Sequence, residues 1–284
     1  MPEIRNMNRD ELRELVGWAE AEGWNPGRHD ADLFWELDPE GYVAILDEGQ
    51  LVGGGAIIKH SEDFGFMGLF IVKPSHRGKK LGEQLWFARR DQLLARLRPG
   101  GTIGLDGVDP MVPFYAAGGF TASTRHRRFE LPAGAPLAPP ERDVIALSEF
   151  PLRAIAEYDA PCFPCPRERY LDLWVHQSDA IGLALPNGSH LAGYGVMRPC
   201  ASGWKIGPLF ADDDAGARSL IQAFRTRGAG GPIYVDAPNA NPAAIALCTS
   251  LGMGEVFGCE RMYFGPAPEF DQARVFGTTT LEVG

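Results

Sequence analysis

A dense cluster of positive charge in this chain is Arg77-Gly78-Lys79-Lys80, followed at once by Leu81-Gly82-Glu83. It stands between a short apolar run, Met67 to Val72, and a segment in which Leu81, Leu85, Ala88 and Ala95 recur at helical spacing. The first stretch reads as a buried strand ended by Pro74, the second as an amphipathic helix. A strand that turns tightly into a helix leaves the first backbone N–H groups of the helix unpaired, and the helix dipole favours an anion there. Glycines let the backbone come close to a ligand, and three cations add charge. Such a turn can hold a phosphate. A solvated basic turn opening an ordinary surface helix would use the same residue types, and on this ground alone both readings stand.

Other candidate chemistry is thin. Cys162-Phe-Pro-Cys165 has the spacing of a redox pair or of half a zinc site. The remaining cysteines, Cys200, Cys248 and Cys259, form no second pair, and the six histidines show no H-x3–5-H spacing. A packed loop with reduced thiols and no metal is expected. There is no G-x-x-x-x-G-K-[ST] phosphate loop and no G-x-S-x-G elbow, and Gly252 to Gly258 has the wrong spacing for a dinucleotide fingerprint.

Pro74-x-x-Arg77-Gly78-x-x-x-Gly82-x-x-Leu85 resembles the acetyl-CoA signature of the GCN5-related N-acetyltransferases (GNAT), whose usual form is Arg-Gly-x-Gly-x-Gly; Lys80 stands here at the middle glycine. Phe114-Tyr115-Ala-Ala-Gly-Gly119-Phe120 resembles the family's Y-x-x-x-G-F segment. The resemblance implies an α/β (α+β) fold with a mixed, mostly antiparallel sheet flanked by helices. It implies acetyl-CoA as co-substrate, its pyrophosphate held by Arg77, Gly78, Lys79, Lys80, Leu81, Gly82 and Glu83, its thioester beside the backbone of Phe70, Ile71 and Val72, and Tyr115 as general acid. Many relatives carry a glutamate on the strand before the turn, whereas Gly65 to Val72 contains no carboxylate. Asp106, at the end of the next strand, and Asp159 are the substitutes considered for the base. Asp106 could equally be a structural cap, and a water chain or an already neutral substrate would also serve.

These residues need a scaffold, and the sequence suggests it twice. Asn8-x-x-Glu11 has the form of a capping box opening a helix, and a second helix is expected over Ala31 to Leu37. Tyr42 to Leu46 and Leu51 to Ile58 read as a hairpin, Thr102 to Asp106 as a strand, Val112 to Ala117 as a short helix, and Phe120 to Leu131 as a strand. Trp18, Trp24 and Trp35 are core residues or a wall of the acceptor site. Arg125, Arg127 and Arg128 are a solvated face or a contact for the adenosine phosphate. Residues 132–140 are uncharged and proline-rich, a semi-rigid linker.

The same order of elements then returns, ending in a final strand from Met253 to Phe264. Ile103-Gly-Leu-Asp106 has its echo in Ile233-Tyr-Val-Asp236, and Tyr115-x-x-x-Gly119-Phe120 in Cys248-x-x-x-Gly252-Met253. Two tandem GNAT-like domains are expected: an acetyl-CoA-binding domain over 1–131 and a degenerate copy over 141–284 that shapes the acceptor pocket. In that copy Asp212-Asp-Asp214 stands where the basic turn would be, and three carboxylates repel a pyrophosphate.

The 284 residues are 45% hydrophobic and 23% charged, with a formal net charge of -10. Both halves are acidic, 16 basic against 20 acidic residues in 1–130 and 11 against 17 in 141–284. That balance does not suit a nucleic-acid partner. No apolar run reaches the ~18 residues of a membrane span, and the N-terminus lacks an apolar signal core, so a cytoplasmic protein is expected, as monomer or homodimer. The expected activity is N-acetyl transfer to a small-molecule amine. The rival is a non-catalytic acyl-CoA sensor or structural module, and a third possibility is acetylation of protein lysines or N-termini.

Overall fold

The structure is a computed structural model describing residues 2–228 and 230–284. The first half runs β1 (Glu3–Asn6), α1 (Arg9–Ala21), α2 (Asp30–Leu37), β2 (Tyr42–Asp47), β3 (Gln50–Lys59), β4 (Phe64–Val72), α3 (Leu81–Arg96), β5 (Thr102–Val108), α4 (Val112–Ala117) and β6 (Thr121–Leu131). The second runs β7 (Ile145–Ala146), α5 (Leu152–Asp159), α6 (Glu168–Val175), β8 (Ile181–Asn187), β9 (His190–Pro199), β10 (Trp204–Ala211), α7 (Asp214–Arg227), β11 (Ile233–Pro238), α8 (Pro242–Ser250), β12 (Gly254–Phe264) and β13 (Val275–Gly277). The start of α1 is the capping box: the Asn8 side chain accepts from the Glu11 N–H, and the Glu11 carboxylate accepts from the Asn8 N–H at 2.9 Å.

The strands form one sheet in the order β1-β2-β3-β4-β5-β12-β6-β11-β10-β9-β8-β7, with β13 added on β10. The order is symmetric about its middle, as an internal repeat requires. The last strand of each copy is exchanged. β6 pairs with β11 of the second copy, β12 pairs with β5 of the first, and the two lie side by side at the centre. Pairing is antiparallel except for β4–β5 and β10–β11. Apolar cores lie between sheet and helices: one under α3 and α4, one under α7 and α8, and one shared by α1, α2, α5 and α6 of both copies.

Each exchanged strand is fastened by an ion pair, and the two pairs are repeat mates. Arg261 of β12 donates through Nε and Nη2 to Asp106 of β5 at 2.8 and 2.7 Å. Arg128 of β6 donates likewise to Asp236 of β11 at 2.7 and 2.9 Å. A bidentate guanidinium–carboxylate pair of this kind adds geometric specificity where two strands must choose each other. A further buried pair, Arg198 with Asp30, joins β9 to α2.

The chain does not end on the strand from Met253. After β13, residues 278–284 run through the interior, with Thr279, Thr280, Glu282 and Val283 buried. Two glycines make room for this tail. A Cβ on Gly68 would collide with the Glu282 carbonyl, and one on Gly207 with the Thr279 carbonyl. His60 Nε2 holds the tail's end through the Val283 carbonyl at 2.7 Å. Apolar periodicity cannot announce a segment of three threonines followed by Leu281-Glu-Val-Gly284, which holds only two apolar residues, and the sequence reading stops short of it. No helix among the described residues is long and apolar enough to cross a membrane.

Candidate active site

β4 and β5 are paired only from Phe64↔Thr102 to Met67↔Leu105. Immediately beyond, β4 bulges: its register with β3 shifts between Gly54 and Ala56, and Leu69 takes φ +48°. A bulge bends a strand away from its neighbour, and here it opens a wedge between β4 and β5. Lys73 N–H donates to Val52 of β3 at 2.9 Å. By the alternation of a strand, the N–H of Val72, and two residues earlier that of Phe70, point the other way, into the wedge.

At the open end of the wedge stands the start of α3. Lys80 precedes it in the left-handed region, φ +61°, with no side-chain cap. Gln84 is the first N–H to bond back, to Lys80 O at 3.2 Å, so those of Leu81, Gly82 and Glu83 have no partner within the helix. Wedge and helix start open into one cavity of about 600 Å³. Of the residues expected to hold a cofactor, Phe70, Ile71, Val72, Arg77, Gly78, Lys80, Gly82, Glu83 and Tyr115 border it. Lys79 is exposed outside it, and Leu81 turns its side chain into the core. Arg77 also braces the turn, donating through Nε to the Val72 carbonyl at 2.9 Å and pairing with Glu22.

Tyr115, on α4, packs its ring against Trp86 at 4.8 Å between centroids. Burial pushes its hydroxyl up to about 12, against a smaller downward pull from the Arg89 guanidinium. It therefore stays protonated at neutral pH, as a proton donor must.

The two aspartates considered as bases are differently placed. Asp106 borders the cavity, but both its oxygens are taken by Arg261. Burial would raise its pKa; the nearby Arg261 and His126 outweigh that and hold it at about 2. A carboxylate so committed is a poor proton acceptor, and its repeat mate Asp236 does the same fastening work. Asp159 is not brought to the cavity at all: it lies buried between Arg167 at 2.8 Å and the Tyr194 hydroxyl at 2.5 Å. The arginine cluster also resolves. Arg125 pairs with Asp109, Arg127 with Glu255, and Arg128 is buried on Asp236.

Two residues that sequence reasoning passed over border the cavity. Glu282 arrives on the buried tail, hydrogen-bonded to the Thr280 hydroxyl and 3.7 Å from Lys205 Nζ. Nothing local in the sequence could have placed it there. Arg89 lies on the buried face of α3, and its spacing from Leu85 and Leu93 was the available signal. The fold also brings Asp106, His126 and Cys259 within 4.8 Å of one another. Arg261 occupies both oxygens of that aspartate, and His126 Nδ1 sits 3.2 Å from it without hydrogen-bond alignment. This donor set does not suit a cation. Cys162 and Cys165 are buried free thiols in a packed loop.

The two halves match separate family models: residues 3–120 that of the acetyltransferase (GNAT) family, and residues 155–277 that of an acetyltransferase (GNAT) domain. Among curated proteins, a holothin acyltransferase of Pseudoalteromonas sp. (strain SANK 73390) is 24% identical over 276 residues, 97% of this chain and 92% of that protein. A putative acetyltransferase of Pyrococcus horikoshii superposes with a TM-score of 0.85 at 23% identity, over 100% of this chain and 96% of that one. A tandem GNAT protein from the clavulanic acid biosynthesis pathway superposes with a TM-score of 0.67 at 15% identity, over 94% and 100%. With a GNAT model matched in each half, and a bulged strand, an uncapped helix start and a wedge in the first, the chain belongs to the GCN5-related N-acetyltransferase superfamily as two tandem GNAT-like domains.

Proposed function

We propose that this chain transfers an acyl group, acetyl in the simplest case, from a coenzyme A thioester to the amine of a small molecule. One observation carries the reading: a single cavity joins the unpaired N–H groups opening α3, the β4–β5 wedge and the Tyr115 side chain. The likeness along nearly the whole chain to a holothin acyltransferase supports acyl transfer. We assign acyl-CoA binding to the copy over 1–131. The copy over 141–284 lends Phe257 and Cys259 of β12, and Leu281 and Glu282 of the tail, to the walls.

A bound acyl thioester supplies the activated carbonyl. The start of α3, with Lys80 beside it, suits the pyrophosphate. The N–H groups of Phe70 and Val72, fixed in the wedge, polarise the carbonyl and stabilise the charge that develops on it. Tyr115, protonated at neutral pH, donates to the departing thiolate. Of the carboxylates bordering the cavity, Glu22 is paired with Arg77, Asp106 with Arg261, and Glu83 sits at the helix start. Glu282, 3.7 Å from Lys205 Nζ but not hydrogen-bonded to it, remains to take the proton of the amine. The buried tail narrows the cavity from the side of the second copy, which favours a small acceptor over a protein chain.

Thiol release from acetyl-CoA, measured against polyamines, amino sugars, amino acids and peptides, tests this reading. Release with a small amine is expected, strongly reduced in Glu282→Gln. Release with peptides alone would remove the small acceptor. Tight binding without release for any amine would leave the sensor.

A further inference from the structure

Five arginines among the described residues are buried to a relative exposure of 6% or less: Arg89, Arg128, Arg167, Arg198 and Arg261. Four of them hold an aspartate, namely Asp236, Asp159, Asp30 and Asp106. Arg89 holds none. Its Nη2 donates to the carbonyls of Ala56 and Gly68 at 2.6 and 2.7 Å, while Nε and Nη1 have no hydrogen-bond partner among the described residues. The group is fully buried, and that burial lowers its pKa to about 10, which still leaves it charged at neutral pH. An uncompensated buried charge is costly, so proteins pair it or let a ligand do so.

The position of Arg89 says what the ligand offers. Its guanidinium packs over Gly55, where any Cβ would collide with it, and lies 5.1 Å from the Phe70 ring. Arg89, Gly68, Phe70, Trp86 and Tyr115 border the same cavity. Nη1, whose two N–H groups have no acceptor, can donate to a carboxylate oxygen in a charge-assisted hydrogen bond. The surrounding wall of Met67, Phe70, Trp86 and Leu105 suits a short aliphatic arm.

We infer that Arg89 receives a carboxylate of the substrate, carried on a short arm of the acyl group or of the acceptor amine. This rests on the acyl-CoA reading of the cavity. It deepens that reading from any small substrate to an anionic one.

Two arms of one experiment separate the sources, using the full chain. In the first, succinyl-CoA and the uncharged butyryl-CoA are titrated calorimetrically into the wild type and Arg89→Met. If the acyl group carries the carboxylate, succinyl-CoA binds the wild type at least about ten-fold more tightly, and Arg89→Met reverses the preference. In the second, acetyl-CoA turnover is compared with 4-aminobutyrate and with butylamine. If the acceptor carries it, the amino acid has the higher kcat/KM by a similar factor, lost in Arg89→Met. The wild-type comparisons stand even if the variant folds poorly. No preference in either arm overturns the inference and leaves Arg89 as a brace for the bulge. Failure of every CoA thioester to bind overturns the acyl-CoA reading and, with it, this one.

Discussion

The two copies share a fold and differ where a ligand would lie. In the first, α3 begins after a left-handed lysine with no side-chain cap; in the second, Asp213 caps α7 by accepting from the Gly216 N–H at 2.8 Å. In the first, β4 and β5 part and leave a cavity. In the second, β10 and β11 part in the same way, pairing only from Trp204↔Ile233 to Ile206↔Val235, but β13 fills the wedge. Leu209 and Phe210 there pair with Gly277 and Val275 of the chain itself. Tyr115 lines an opening, while its counterpart Cys248 is buried in a core, with burial pushing its thiol up to about 12. The second copy thus occupies its own site with its own C-terminal strand, and the chain beyond that strand delivers Glu282 to the first copy's cavity. The two wedges thus differ in what fills them, the chain's own strand in the second copy and an open cavity in the first.

The largest effect expected from this contrast is on turnover. Tyr115→Phe should lower kcat by roughly a hundred-fold or more, the usual worth of a positioned proton donor. Cys248→Ala should leave kcat within about two-fold, since its thiol touches only core. Thiol-release assays at saturating donor check both. Comparable losses at the two positions would mean that the second copy also works on substrate.

The tail should also respond unequally to pH at its two ends. Its start is held to the second copy by the β13 backbone ladder, which does not titrate. Its end hangs on His60, whose pKa burial lowers from the ordinary 6.5 to about 4. Between those values the unfolded chain binds the proton and the folded chain does not. Stability contributed by neutral His60 is therefore present above pH 6.5, falls as the pH drops, and is fully lost near pH 4. The loss is on the order of 3 kcal/mol. Thermal melts from pH 7 to pH 4 should show it. His60→Gln keeps a donor for the Val283 carbonyl without a titrating ring and should flatten that slope. An unchanged slope would place the acid sensitivity elsewhere.

Cofactor binding should be confined to one copy. Titration of acetyl-CoA is expected to give one site per chain, weakened roughly ten-fold by Arg77→Ala, the scale of a lost charged contact. Asp214→Ala, at the corresponding helix start, should change nothing. Two sites per chain would sink the contrast outright.

How legible these differences were depends on whether they are written in neighbouring residues. The basic turn, the helix from Leu81, the short helix carrying Tyr115 and the Asn8–Glu11 box follow from residues a few positions apart, and the structure has all of them. The copies themselves were visible as paired echoes, Asp106 with Asp236 and Gly119 with Gly252. The strand exchange was not, because β6 and β12 carry similar burial patterns and either could sit beside either β5 or β11. Asp106 offered itself as a base because the strand expected from the sequence stops at it, whereas β5 runs on to Val108. Its true partner, Arg261, is 155 residues away, and no local rule reaches that far. Glu282 and the tail that carries it were hidden for the same reason: their place is set by Gly68 and Gly207, two missing side chains in distant strands.

The smallest expected effect tests the one departure of the basic turn from its family's pattern. Lys80 occupies the position where the usual signature has glycine, and the structure shows why glycine is usual: φ is +61°, a conformation that costs a residue with a Cβ about 1 kcal/mol. The chain keeps a lysine there at the opening of the cavity, so strain and charge oppose each other. Lys80→Gly should raise the melting temperature by a few degrees at most, since the backbone relaxes but the unfolded chain gains freedom. It should also weaken acetyl-CoA binding by a few-fold as one cation leaves the phosphate end. A variant both more stable and tighter-binding would show that the side chain only crowds the turn, and the first copy would then hold its anion by backbone alone.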